Sequence, residues 1–265
     1  MNVKYFGAHF DSSKFSIKEC LDIVEKYGGN TIQILNNAKI RKEKVSLKKN
    51  QKIVIHTNYW VNIAGNVGAA ISGITKDILL ADKIGAFGVV IHTGKNIENN
   101  VLLSFKRIKQ VFAAVAENTK DSNVKLILET SSGQGSELFR TMKTFTKVYS
   151  VLKSQSYGHR LGICIDTCHI FAAGYDIKNN FSAYIKYFQK LISLDEVVLI
   201  HLNDSKNDLD SRIDRHQNIG SGYIGEKALK EIFKFFSSKG VPVILETPKR
   251  LETIKCELDI LSATK

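Results

Sequence analysis

Residues 52–93 read KIVIHTNYWVNIAGNVGAAISGITKDILLADKIGAFGVVIHT. Two short β-rich runs, each closing on His-Thr, bracket a longer amphipathic stretch, the pattern of a strand, a crossover helix and a parallel strand. The alternation continues outward in both directions. It yields eight strand candidates: VKYFGAHF from Val3, TIQIL from Thr31, KIVIHT from Lys52, GVVIHT from Gly88, VKLILET from Val124, LGICIDT from Leu161, VVLIHL from Val197 and VPVILET from Val241. Eight such strands with helices between them predict an α/β fold, a closed (β/α)8 TIM barrel, typically about 250 residues long. The chain has 265 residues and two prolines, with no Ser/Gly-rich linker and no internal repeat, so residues 1–265 read as a single domain.

The connecting stretches carry helix punctuation. Ser16 and Glu19 have capping-box spacing, Ile17, Cys20, Leu21 and Val24 form one apolar face, and Gly28 is placed to end that helix. Val101, Phe105, Ile108, Phe112 and Val115 repeat with helical period, as do Leu229, Ile232, Phe233 and Phe236, and both stripes read as core. The segment from Lys39 to Lys52 is short for a helix with two loops. It is dense in Lys and Arg, which suits either a solvated connection or a phosphate-contacting loop.

With 43% hydrophobic and 24% charged residues the chain has the material for one substantial core, and disorder is excluded as the default. A formal charge of +12 favours a polyanionic partner, because each neutralised phosphate releases condensed counterions. Four cysteines, at 20, 164, 168 and 256, show no CxxC spacing, and no leader-like apolar stretch or long apolar run is present. The expectation is an intracellular protein, neither secreted nor membrane-bound, with Cys164 and Cys168 as buried thiols.

Active sites of such barrels form at the carboxyl ends of the strands. Here His56, His92, Glu129, Asp166, His201 and Glu246 close strands three to eight, while His169, Asp214 and His216 lie on the loops after strands six and seven. Burying so many ionisable groups in one mouth is costly unless cations neutralise them. Zinc accepts both imidazole and carboxylate at about 2.0–2.2 Å and takes four or five ligands, so five histidines and four carboxylates suit three ions with open positions. Of the seven histidines, His9 and His159 fall outside the set. Manganese could take a carboxylate-rich position. Asn203, Asp204, Ser205 and Gln134 are polar groups near the mouth, open to roles in orienting ligands, contacting DNA or ordinary loop bonding.

At CIDTCHIFAAGYD (164–176), HLNDSK (201–206), DRHQNIGSGYIG (214–225) and ILETP (244–248) the sequence resembles the endonuclease IV family of AP endonucleases, and the resemblance runs from FGAH (6–9) to the last strand. It implies a TIM barrel with three zinc ions. His56, His92 and Glu129 would hold the first. Glu129 would bridge to a second held by Asp166, His201 and Glu246, and His169, Asp214 and His216 would hold the third. It further implies that a hydroxide shared by two of the ions cuts the phosphodiester bond 5′ to abasic sites in double-stranded DNA. The products would be a 3′-hydroxyl and a 5′-deoxyribose phosphate, and blocked 3′ ends would be cleaned by the same site. Glu129 is the key catalytic expectation, since losing a bridging ligand damages two ions together.

The resemblance also implies bent DNA with side chains pushed into its minor groove, at positions matching Lys39, Tyr59 and Trp60. Trp60 could instead pack on the barrel rim. The sequence departs from the family here: NNAK (36–39) stands where Asn-Gln-Arg is usual, Trp60 replaces an aliphatic residue, and the stretch after His9 is not Gly-rich. The expected enzyme acts as a monomer. The rival reading is a metal-dependent sugar isomerase or epimerase on a related barrel, which has no use for the cluster at Asp214 and His216.

Overall fold

The computed structural model describes residues 4–248 and 251–264. Val3, where the first expected strand begins, lies outside them. Among the described residues there are ten strands: β1 (Phe6–His9), β2 (Thr31–Leu35), β3 (Lys52–His56), β4 (Gly88–Ile91), β5 (Lys125–Glu129), β6 (Leu161–Asp166), β7 (Val197–His201), β8 (Asp204–Ser205), β9 (His216–Gln217) and β10 (Val243–Leu245). Eight of them close into a barrel in the order β1-β10-β7-β6-β5-β4-β3-β2, all pairings parallel, while β8 and β9 form a separate antiparallel hairpin. The chain is thus a (β/α)8 TIM barrel. Gly7 allows β1 to close against β2, since a Cβ there would stand 1.6 Å from the Thr31 carbonyl oxygen.

The helices are α1 (Ile17–Lys26), α2 (Val67–Ile84), α3 (Val101–Asn118), α4 (Met142–Lys153), α5 (Thr167–Ala172), α6 (Phe181–Leu191), α7 (Glu226–Ser237) and α8 (Leu251–Ala263). Both bonds of the capping box at Ser16 and Glu19 form, and Gly28 turns the chain after α1 with a φ of 78°. Asn66, Asn100 and Thr141 cap α2, α3 and α4 through their side chains. Between β2 and β3 only a 3-10 turn at Ile40–Lys42 forms, so the Lys-rich segment is a loop rather than an α-helix. The α3 stripe is core from Ile108 onward, but Val101 at its start is 53% exposed. Leu229, Ile232, Phe233 and Phe236 on α7 are buried. Among the described residues no helix is long and apolar enough to cross a membrane.

Inside the barrel, Val54, Val90, Ile127, Cys164, Leu199 and Ile244 form a separate apolar floor, one residue from each of β3, β4, β5, β6, β7 and β10. Side chains two apart on a strand share a face. The next inward residue after each of these is therefore His56, His92, Glu129, Asp166, His201 and Glu246 in turn. A dry floor supports a ring of ionisable groups.

Candidate metal centre

His56, Glu129, Asp166 and His201 end their strands as expected, whereas His92 and Glu246 sit one residue beyond β4 and β10 while keeping the inward phase. His169 is not on a loop. It lies in the first turn of α5, whose N-cap is Asp166, and His216 lies in β9, paired with Ser205. The structure brings all nine side chains into three contiguous groups.

In the first group His56 Nε2 and His92 Nε2 are 3.2 Å apart, and both face Glu129 Oε2, at 3.3 and 3.1 Å. The other oxygen of the same carboxylate, Oε1, lies 2.8 Å from His201 Nδ1. In the second group, with Glu129 and Asp166, His201 Nδ1 is also 3.0 Å from Glu246 Oε2 and 3.8 Å from Asp166 Oδ2. In the third, His169 Nε2 and His216 Nε2 converge on Asp214 Oδ1 at 3.3 and 3.1 Å.

In three of the histidines the carboxylate-facing nitrogen is set by what the other ring nitrogen does. Nδ1 donates to a backbone carbonyl in His56 (Thr57, 2.6 Å), His169 (Thr130, 2.8 Å) and His216 (Glu246, 3.0 Å), which leaves Nε2 with its lone pair toward the centre. Nε2 of His216 is buried with no hydrogen-bond partner, although two carboxylates stand near it. Lone-pair nitrogens aimed at carboxylate oxygens fit a cation between them.

The electrostatics agree. Burial pushes the Glu129 and Glu246 carboxyls up, but the imidazoles, His92 and His201 at Glu129 and His201 foremost at Glu246, hold both well below the usual range. Burial pushes His169 and His216 down, yet Asp166 and Asp214 raise His169 well above its ordinary value and carry His216 to about 9. The same contest at His92, won by Glu129, raises it. These carboxylates require positive charge, and without cations the histidines supply it as protons.

Two further inward residues complete the mouth: His9 at the end of β1 and Gln33 on β2. Both are buried, and His9 Nδ1 lies 3.3 Å from Glu246 Oε1. Sequence reasoning set His9 aside and passed over Gln33. The period-two phase of β1 and β2, counted as for the other strands, finds them. Asn203 Nδ2 donates to Asp166 at 2.6 Å while its Oδ1 receives the Glu246 N–H at 2.7 Å, so it orients two members of the second group. Asp204 is wholly buried and receives the backbone N–H groups of Gly220, Gly222, Ile224 and Gly225. It organises the loop after β9 and is not available to DNA. Gln134 Oε1 accepts the Asp214 N–H at 3.0 Å. Cys164 and Cys168 are buried, and burial pushes both thiols up to about 12.

A cleft of about 220 Å3 opens beside the first and third groups, bounded by Tyr59, His92, Lys95, Gln134, His169 and Asp214. Tyr59 and Trp60 stand 79% and 68% exposed, packed edge to face at 4.7 Å, so Trp60 is not packed down on the rim. Lys39 is exposed, its ammonium bonded to the Lys14 carbonyl at 3.1 Å.

A model of the xylose isomerase-like TIM barrel family matches residues 21–264. A probable endonuclease 4 of Staphylococcus saprophyticus is 32% identical over 262 residues, covering 91% of this chain and 87% of that protein. The chain belongs to the endonuclease IV family. Among solved structures, endonuclease IV from Thermus thermophilus superimposes with a TM-score of 0.79 at 24% identity, over 98% of both chains. A D-tagatose 3-epimerase-like protein reaches 0.71 at 20% identity, over 98% of this chain and 96% of that one. At such identities the likeness speaks for the barrel alone. Membership of the endonuclease IV family rests on the sequence relative, and the site must argue the chemistry.

Proposed function

We propose that the chain is an AP endonuclease. It hydrolyses the phosphodiester bond 5′ to abasic sites in duplex DNA, leaving a 3′-hydroxyl and a 5′-deoxyribose phosphate, and removes blocking groups from 3′ ends. The observation that carries the reading is Glu129, whose two oxygens face two separate histidine sets. Such a carboxylate is built to be shared between two cations. His56, His92 and Glu129 would hold one ion, Glu129, Asp166, His201 and Glu246 a second, and His169, Asp214 and His216 a third. Zinc fits this nitrogen and oxygen donor set, with manganese an alternative at the carboxylate-rich second position. When bound, such ions supply an activated water at neutral pH and neutralise charge on the phosphate.

The protein's own part is placement. Backbone carbonyls hold three imidazoles in one tautomer, Asn203 ties Asp166 to the backbone just after β10, and the apolar floor keeps bulk water from below. The mouth is open above, where the exposed Tyr59 and Trp60 offer flat faces for stacking on bases and Lys39 offers a cation near the backbone. An abasic nucleotide leaves the helix at low cost because it has no base to unstack or unpair. The protein acts as a monomer. A charge of +12 suits duplex DNA and does nothing for a neutral sugar, and the third group is surplus to an isomerase.

The deciding experiment incubates zinc-loaded protein with an end-labelled duplex carrying one abasic analogue, with and without a strong chelator. Chelator-sensitive incision 5′ to the lesion is expected. An intact duplex, or turnover of a ketose sugar in its place, overturns the proposal.

A further inference from the structure

We propose that Gln33 is a positioning residue that selects which ring nitrogen of His201 faces the metal centre. The inference rests on reading the nine side chains as metal ligands, and it does not depend on the DNA substrate.

Gln33 is fully buried on β2, far from His201 in sequence, and the closure of the barrel brings the two together. Its amide has an oxygen end and an NH2 end, and chemistry fixes which way it points. Gln33 Nε2 abuts Glu246 Oε1, and an ionised carboxylate only accepts. The NH2 group must therefore lie on that side, where its second N–H is donated to His9 Nδ1 at 2.8 Å. The oxygen end is then left opposite His201 Nε2 at 2.8 Å, and an amide oxygen can only accept, so that ring nitrogen must carry the proton.

The consequence is at the far side of the ring. With Nε2 occupied as a donor, Nδ1 is the nitrogen left facing Glu129 Oε1 at 2.8 Å and Glu246 Oε2 at 3.0 Å. The three histidines locked by backbone carbonyls present Nε2, and His201 alone among these four is locked by a side chain and presents Nδ1. Gln33 thus does for the second group what the main chain does for His56, His169 and His216. Because the same amide also holds Glu246, one residue orients two of the four members of that group.

The test compares the full-length wild type with Gln33→Met, which keeps length and loses both bonds, and with Gln33→Glu, which keeps an oxygen opposite His201. Three quantities are read: the ions retained against graded chelator, the visible absorption of the cobalt-loaded protein, and the nitrogen-15 signals of the His201 ring in the zinc-loaded protein. For Gln33→Met, one ion should bind about 10- to 100-fold more weakly while the others keep their affinity, as for other partners that orient ligands. The cobalt absorption should shift, and the single Nε2–H form of His201 should be lost. Gln33→Glu should keep that ring form while losing the bond to Glu246, since a carboxylate has no N–H to donate there. Wild-type affinity and ring signals in Gln33→Met overturn the inference, as does an equal loss of all ions with a lowered melting temperature. Wild-type protein that retains no metal overturns it together with the reading beneath it. Metal-loaded wild type that leaves DNA intact overturns only the proposed substrate, and the ring signals still support the role of Gln33.

Discussion

Asp166 Oδ1 accepts the backbone N–H of His169 at 2.9 Å, so the carboxylate that ends β6 also caps α5. Its other oxygen receives the Asn203 amide, at 2.6 Å, and lies in the second ligand group. One side chain therefore sets the direction of the helix that carries His169 into the third group. Asparagine caps helices as well as aspartate, whereas alanine loses about 1 kcal/mol. Asp166→Asn should unfold close to the metal-free wild type in a denaturant titration and Asp166→Ala below it. Both should lose an ion and about 100-fold or more in incision rate. Equal unfolding midpoints for the two variants would show that the cap carries no weight.

Glu129 faces both histidine sets, so Glu129→Gln should weaken two ions rather than one. Elemental analysis after desalting should find a deficit of more than one ion per chain relative to wild type, and incision should fall by about 1,000-fold or more. By contrast His216→Ala, confined to the third group, should remove a single ion.

Removing metal should destabilise the fold as well as silence it, because the buried carboxylates then depend on protonated histidines alone for their neutralising charge. Free zinc at about 100 times the dissociation constant of a site stabilises by about 2.7 kcal/mol. Calorimetry should show a lower melting temperature after chelation and recovery on adding zinc. A thermogram indifferent to chelator would contradict the assignment of the nine residues.

Tyr59 and Trp60 are exposed and bury little, so replacing each with alanine should leave stability within about 0.5 kcal/mol. Stacking on a base is worth about 1–3 kcal/mol, so kcat/KM on abasic duplex should drop about 5- to 150-fold per residue. Hydrolysis of a small chromogenic phosphodiester should not change in Trp60→Ala, because Tyr59 and not Trp60 bounds the cleft beside the metal groups. Parallel losses on both substrates would place Trp60 in the centre rather than on the DNA.

Asp77 on α2 is pushed up to about 6, chiefly by burial, against the Asn36 amide that donates to it at 2.7 Å. Its folded value exceeds its unfolded one, so the folded state binds the extra proton. Its contribution is fully favourable below about 4 and is lost as pH rises through 6. Across that span wild type should lose up to about 3 kcal/mol relative to Asp77→Asn, which keeps the bond to Asn36 without a charge. Paired urea titrations at pH 4 and pH 8 measure the difference, and a gap that stays constant rules the effect out.

Much of the centre was readable along the chain because a strand has a period of two and a barrel points its strand ends at one place. The residues closing strands three to eight name six of the nine candidate ligands with no coordinates at all, and the floor beneath them shows the same inward phase. The closed parallel sheet followed from the same alternation of strands and amphipathic stretches.

Other features depend on closure in space, which no local pattern encodes. Val101 obeys the helical period and is still exposed, because period tells which face a residue shares and not what lies opposite it. His169 is different, since the Asp166 cap three residues before it is a local helix-start signal that the reading of this segment as a loop passed over. Asp204 looks like a mouth carboxylate, yet the fold buries it under five backbone amides, those of Ser205, Gly220, Gly222, Ile224 and Gly225. Gln33 has the inward phase on β2, which places it in the mouth but does not say what it does there. Its meaning comes from His201 and Glu246, which reach it only when the barrel closes and the hydrogen-bonding needs of three buried groups must be met at once.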